Sequence, residues 1–195
     1  MPKPNEKHTN SVRIIGGKCR GRKVQFPDLP GLRPTPDRVR ETLFNWLMHD
    51  VQDSKILDLF AGSGALGLEA LSRGAKTVVF VEREKDAALS IGKHLEQFGM
   101  PSSSYELHHR DALDYLSHRR SAGESFDLIF LDPPFGQGLL AKFLPLCLAH
   151  LSATGQIYLE QEASLDKASY LPAGVTVLKE KTAGDVTYLL LCKSS

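Results

Sequence analysis

Two stretches of this chain set carboxylates, glycines and prolines where apolar runs end. The first is Asp58-Leu59-Phe60-Ala61-Gly62-Ser63-Gly64-Ala65-Leu66-Gly67, which closes the run Ile56–Phe60 and opens an amphipathic segment. The second is Asp132-Pro133-Pro134-Phe135, which follows Phe126–Leu131. Two consecutive prolines donate no backbone hydrogen bond and hold an extended turn, so the Asp132 carboxylate and the Pro133 carbonyl are acceptors without local donors. An exocyclic amine on a nucleobase offers two N–H donors to such a pair, and Phe135 offers a flat surface for stacking. Asp132, Pro133 and Phe135 are therefore the candidate catalytic residues.

Gly62, Gly64 and Gly67 permit a sharp turn and a close backbone approach to a ligand. Glu82 ends the next apolar run, 18 residues after Gly64, where a carboxylate can bind ribose hydroxyls. Together they indicate a cofactor containing adenosine. Asp58 narrows the choice, because an acid four residues before Gly62 repels a pyrophosphate and attracts an α-ammonium. S-adenosylmethionine carries that ammonium and no phosphate. Phe60, Ala61, Gly62, Ser63 and Gly64 would line it with Asp58, Glu82 and Asp132. Asp111 would accept from the adenine amine while Ala112 N–H donates to the ring. Plainer readings stay open: a tight glycine turn, an Asp58 bonded to the adjoining loop or helix, and an Asp111 that only caps a helix. His108 and His109, adjacent on a strand, face opposite ways and make no metal pair. No metal site is expected.

These residues need a sheet to hold them. From Lys55 onward short apolar runs (Ile56–Phe60, Thr77–Val81, Tyr105–His109, Phe126–Leu131, Gln156–Leu159) alternate with helical stretches at 65–73, 84–98, 111–119 and 138–150. This alternation predicts a largely parallel sheet covered on both faces. Val175–Leu178 and Val186–Leu191 lie too close together for a crossover helix and should pair antiparallel. Before the sheet, Val12–Ile15 and Lys23–Phe26 read as a hairpin, and Thr35-Pro36-Asp37 as a helix start with the Thr35 hydroxyl as cap. Residues 1–11 read as a flexible tail, 12–50 as a basic hairpin and helix, and 51–195 as the cofactor-binding domain.

Charge supports that division. Residues 1–50 carry a net +5 from ten basic and five acidic side chains, leaving −4 for the rest. Arg13, Lys18, Arg20, Arg22, Lys23, Arg33, Arg38 and Arg40 are the candidate contacts to a polyanion such as RNA. Arg38 and Arg40 read equally as helix residues paired with Asp37 or Glu41. A 195-residue chain with 42% hydrophobic residues needs no staples, and its three scattered cysteines supply neither a disulfide framework nor a CxxC site. A cytoplasmic, non-membrane protein is expected.

The combination of DLFAGSGALGLEAL (58–71) with DPPF (132–135) resembles S-adenosylmethionine-dependent methyltransferases that act on exocyclic base nitrogens. VRIIGGKCRGRKVQFP (12–27) and GLRPTPDRVRETLFNWL (31–47) resemble more specifically the bacterial 16S ribosomal RNA guanine-N2 methyltransferases of the RsmD type. The resemblance covers about residues 12–192. It implies an α/β fold with a seven-stranded, Rossmann-like class I methyltransferase sheet, mostly parallel with an antiparallel last strand. It also implies 16S ribosomal RNA as partner, either free or within a small-subunit assembly particle, and a monomeric enzyme. Rival readings are a DNA or RNA adenine-N6 methyltransferase, a nicotinamide-dependent oxidoreductase and a non-enzymatic RNA-binding protein.

Overall fold

The apolar runs from Lys55 onward all become strands of one sheet in the computed structural model, which describes residues 9–29, 35–119 and 125–194. Strands β3 (Lys55–Asp58), β4 (Thr77–Glu82), β5 (Tyr105–His109), β6 (Phe126–Leu131) and β7 (Leu151–Glu162) are parallel. Strand β8 (Val175–Ala183) lies at one edge, and β9 (Val186–Lys193) inserts between it and β7, antiparallel to both. The order β5-β4-β3-β6-β7-β9-β8 is the expected seven-stranded sheet with a reversed last strand.

Strand side chains alternate between two cores. Ile56, Val78, Phe80, Leu128, Phe130 and Tyr158 face one side, under α1 (Asp37–Trp46), α2 (Ala65–Ser72) and α3 (Lys85–Gln97). Leu57, Val79, Val81, Ile129, Leu131 and Leu159 face the other, under α4 (Ala112–Arg119) and α5 (Leu139–Ala149). A strand buried on both faces must be apolar at successive positions, hence the continuous runs.

The hairpin of β1 (Thr9–Arg13) and β2 (Lys23–Pro27) shares the first core through Ile14, Cys19 and Val24. It covers the outside of α2, all eight of whose residues are buried. Buried Glu69 on α2 accepts from Ile15 N (2.7 Å) and Gly16 N (2.8 Å), and Ser72 Oγ bridges Cys19 N and Gly16 O. At Gly17 the φ is +72° and a Cβ would lie 1.8 Å from the Ser72 carbonyl, so only glycine fits that approach.

Two expectations are corrected. The segment expected as a tail is shorter at its inner end, because Thr9–Ser11 pair with Gln25–Pro27 in the hairpin. The Thr35 hydroxyl does not cap α1; Pro36 occupies the cap position without a side-chain bond, while Thr35 Oγ1 donates to Glu160 (2.8 Å), a buried carboxylate with greater need of a donor. Among the described residues no helix is long and apolar enough to cross a membrane.

Candidate active site

The sheet order reverses between β3 and β6, and in open α/β sheets the crevice beyond the strand ends at such a point binds ligands. The chain concentrates its carboxylates there. Asp58 is the last residue of β3, Glu82 the last of β4, Asp132 directly follows β6, and Glu160 lies near the end of β7. The glycine loop closes the same end. Gly62 and Gly64 have φ of +53° and +76°, and Gly64 starts α2. A Cβ on Gly67 would stand 2.2 Å from the Phe80 ring, so this third glycine brings α2 down onto β4.

Glu82 holds the loop by accepting from Gly62 N through Oε2 and from Glu84 N through Oε1, both at 2.7 Å. Each oxygen keeps a lone pair for a ribose hydroxyl. Asp58 Oδ2 accepts from Gly67 N (3.0 Å), the loop and helix bond left open by the sequence. Within the loop, Gly64 N donates to Ala61 O, and Ala65 N donates to the buried Ser63 Oγ. Phe60 packs edge-on against Phe143, with ring centres 5.0 Å apart. Asp111 Oδ1 accepts from Leu113 N (2.7 Å) and Asp114 N, capping α4, and Ala112 beside it is buried.

Burial without a compensating cation dominates the electrostatics. It pushes Asp58 up to about 7, against the Gly67 N–H bond and with help from the Glu82 charge. Asp132 is held well above the carboxylate range by burial, then by Glu160, then by Asp58. Glu82 and Glu160 are also raised by burial, opposed only by backbone or hydroxyl donors. Among the described residues no lysine or arginine side chain enters these balances; Arg83 acts on Glu82 only through its backbone N–H. Such a cluster gains most from a ligand that brings positive charge. S-adenosylmethionine, with its ammonium and sulfonium, fits that need, and the Glu82 oxygens and backbone-lined loop fit its ribose.

Next to the carboxylates lies a cleft of about 380 Å³ lined by Pro133, Pro134, Phe135, Glu160, Gln161 and Tyr170, among others. Phe135 is 41% exposed, unusual for a phenylalanine, and Pro133 is buried. Pro133 and Phe135 of the sequence-predicted catalytic group thus form part of the cleft's wall, with Asp132 directly before them in the chain.

Of the candidate RNA contacts, Arg13, Lys18, Arg20, Arg22, Lys23 and Arg38 are exposed. Arg22 is partly committed, donating to Gln97 O (2.9 Å) with its guanidinium over the Phe98 ring. Arg40 is a correction: fully buried, it donates to Thr35 O, Arg13 O and Asp37 and lies 3.5 Å from Glu69, so it joins the hairpin, α1 and α2 and presents nothing to RNA. Arg33 lies outside the described residues.

Residues 12–192 match the family described as Conserved hypothetical protein 95. The chain is 45% identical to ribosomal RNA small subunit methyltransferase D of Haemophilus influenzae, over 96% of this chain and 95% of that protein. The Escherichia coli protein of the same name is 41% identical over 97% and 94%. This chain belongs to their family. A solved candidate methyltransferase from Escherichia coli superposes with a TM-score of 0.82 at 37% identity, covering 95% of this chain and 99% of that one.

In this member of the family, Glu160 with its hydroxyl partners Thr35 and Tyr158 escaped the sequence reading, as did Glu69. Glu160 follows the run Gln156–Leu159 at the ligand end of a parallel strand, a position that is itself a signal. Glu69 carries no such signal, since a lone acid in a helix reads as a solvated face.

Proposed function

We propose that this protein transfers the methyl group of S-adenosylmethionine to the exocyclic N2 of a guanine in 16S ribosomal RNA. The observation that carries the reading is the meeting, at one end of the sheet, of a Glu82-anchored glycine loop and the Asp132-Pro-Pro-Phe turn, whose prolines and phenylalanine line a cleft of about 380 Å³. Family membership supports the methyltransferase class and a small-subunit RNA substrate, since the relatives are so named. The basic hairpin supplies the matching electrostatics.

The cofactor, when bound, supplies an activated methyl on a cationic sulfur. Asp58, Glu82 and the loop backbone would hold it, and Asp111 and Ala112 would recognise its adenine. The remaining work is alignment and exclusion of water. Guanine N2 is a weak nucleophile because its lone pair is delocalised into the ring. Asp132 and the Pro133 carbonyl accept its two N–H bonds and turn that lone pair toward the methyl carbon. Phe135 stacks on the extruded base and offsets part of the few kcal/mol needed to unstack it. The amine proton becomes acidic only after the methyl arrives, and Asp132, already in contact, can take it. Arg13, Lys18, Arg20, Arg22, Lys23 and Arg38 hold the phosphates around the target. The same reading makes the protein a cytoplasmic monomer that meets its RNA in a small-subunit assembly particle.

The test is methylation of 16S ribosomal RNA from a strain lacking the protein, with isotope-labelled cofactor and mass mapping of the product. Label on the N2 of one guanine is expected. Label on adenine N6, or none on the RNA, would overturn the reading.

A further inference from the structure

The cleft contains a carboxylate that the proposed methyl transfer leaves without a task. Glu160 lines the cleft beside Pro133 and Phe135, yet its side chain is 5% exposed. Both of its hydroxyl donors fall on one oxygen: Thr35 Oγ1 (2.8 Å) and Tyr158 OH (2.7 Å) donate to Oε1. Among the described residues no hydrogen bond is made to Oε2. The other buried polar side chain of the cleft, Gln161, is saturated by the protein, with Oε1 accepting from Tyr170 OH and Nε2 donating to the carbonyls of Glu162 and Leu165. Glu160 thus brings to the lining of the cavity one oxygen to which no described residue donates, and it lies close enough to Asp132 for the two charges to repel.

We propose that Glu160 reads the base: its Oε2 accepts a hydrogen bond from guanine N1–H, beside the N2 amine held by Asp132 and Pro133, and so selects guanine over adenine. This rests on the methyl-transfer reading of the cleft. On guanine, N1–H and the N2 amine are neighbouring donors on one edge, and Glu160 and Asp132 are neighbouring acceptors. An adenine entering with its amine at Asp132 would turn the lone pair of its N1 toward the Glu160 carboxylate. Leaving a buried acceptor unmatched is the stronger form of discrimination, because the lost bond adds to the unsatisfied group. Thr35 and Tyr158 are positioning residues. By fixing Oε1 they aim Oε2, and Thr35 ties the reading head to the segment leading into α1.

The experiment replaces the guanine that the wild-type protein methylates by 2-aminopurine, which keeps the N2 amine but has a bare N1. Single-turnover rates at saturating cofactor are compared for both RNAs. The wild type should prefer guanine by about ten- to a hundredfold, the loss expected for a hydrogen bond to a charged acceptor. In Glu160→Gln the amide oxygen stays with the two hydroxyls and the NH₂ turns to the cleft. That variant should lose at least about tenfold on guanine and little on 2-aminopurine, erasing or inverting the preference. Thr35→Val, which removes one of the two aiming bonds, should narrow the preference with a smaller loss of rate. Equal slowing of both RNAs by Glu160→Gln would mark Glu160 as merely structural and overturn the proposal. Failure of the wild type to methylate any guanine N2 would overturn the functional reading itself.

Discussion

Asp58 illustrates how a single residue can be destabilising for the fold and useful for the ligand. Burial raises its carboxyl from 3.8 to about 7, so between those values the native state holds a proton that the unfolded chain has released. Stability of the ligand-free protein must then fall as pH rises through that window, since stability rises with pH only where the unfolded state binds more protons. Asp58→Asn keeps an acceptor for Gly67 N and removes the titration. Its melting temperature should exceed the wild type's above about pH 7, with the gap shrinking toward about pH 4. Cofactor binding should show the opposite slope. A cationic ligand favours the ionised carboxyl, so the wild type should gain affinity up to about pH 7 while Asp58→Asn binds more weakly with a flatter profile. Calorimetry at several pH values in buffers of different ionisation heat would detect the released proton. A second residue-scale prediction separates acceptor from base at Asp132. Asp132→Ala should lose about ten- to a hundredfold or more in single-turnover rate, with Asp132→Asn in between, because Asn retains one carbonyl acceptor. Equal inactivity of both variants, with cofactor binding intact, would require an obligatory carboxylate base.

At the scale of elements, helix α2 joins the two halves of the proposed chemistry. Its first turn is the end of the glycine loop, and its last turn carries Glu69 and Ser72, which bind the loop between β1 and β2. Glu69 also meets Arg73 Nε at 2.7 Å and Arg40 at 3.5 Å. Glu69→Ala would leave Arg40 with Asp37 as its carboxylate partner but the backbone donors Ile15 N and Gly16 N unmatched, a loss on the order of 2–6 kcal/mol. Gly17→Ala tests the same joint without touching charge: the side chain would strike the Ser72 carbonyl, so the hairpin should loosen. Hydrogen exchange should speed up at Ile15, Gly16 and Cys19, and RNA affinity should fall, while cofactor binding changes little. Unaltered exchange at those amides would contradict the joint. This element also marks where sequence reasoning stops. Strand runs, helix spans and the reversed β9 were legible because each is a local period or a loop length. The hairpin's docking was not, because it depends on Glu69, Ser72 and Arg40, whose partners lie 53, 54 and 56 residues away or on a neighbouring helix. Thr35 misled for a related reason. A threonine before Pro-Asp is a good local cap, and a distant carboxylate outcompeted that role.

For the whole molecule, the opposed charges of the two ends set how binding should respond to salt. The cofactor end gathers buried carboxylates, whereas the hairpin presents exposed Arg13, Lys18, Arg20, Arg22 and Lys23, with Arg38 on α1. Buried charges are screened little by salt and exposed ones strongly, so the two binding events should separate on an ionic-strength axis. If about four of the six exposed cations touch phosphates of unpaired RNA, log affinity should fall against log salt with a slope near −3, at roughly −0.7 per contact. Lys18, Arg20 and Lys23 make the cleanest test set. Arg22 also packs on Phe98 and bonds Gln97, so its loss would confound charge with anchoring. Changing those three to glutamine should flatten the slope by up to about two units and weaken binding in a sequence-independent way. The melting shift given by cofactor should survive, because none of the three touches the strand ends that hold it. Anisotropy titrations with labelled 16S RNA fragments between about 50 and 200 mM salt would measure the slope. A slope unchanged in the triple variant would move the RNA surface away from the hairpin, and the split of charge along the chain would then need another cause.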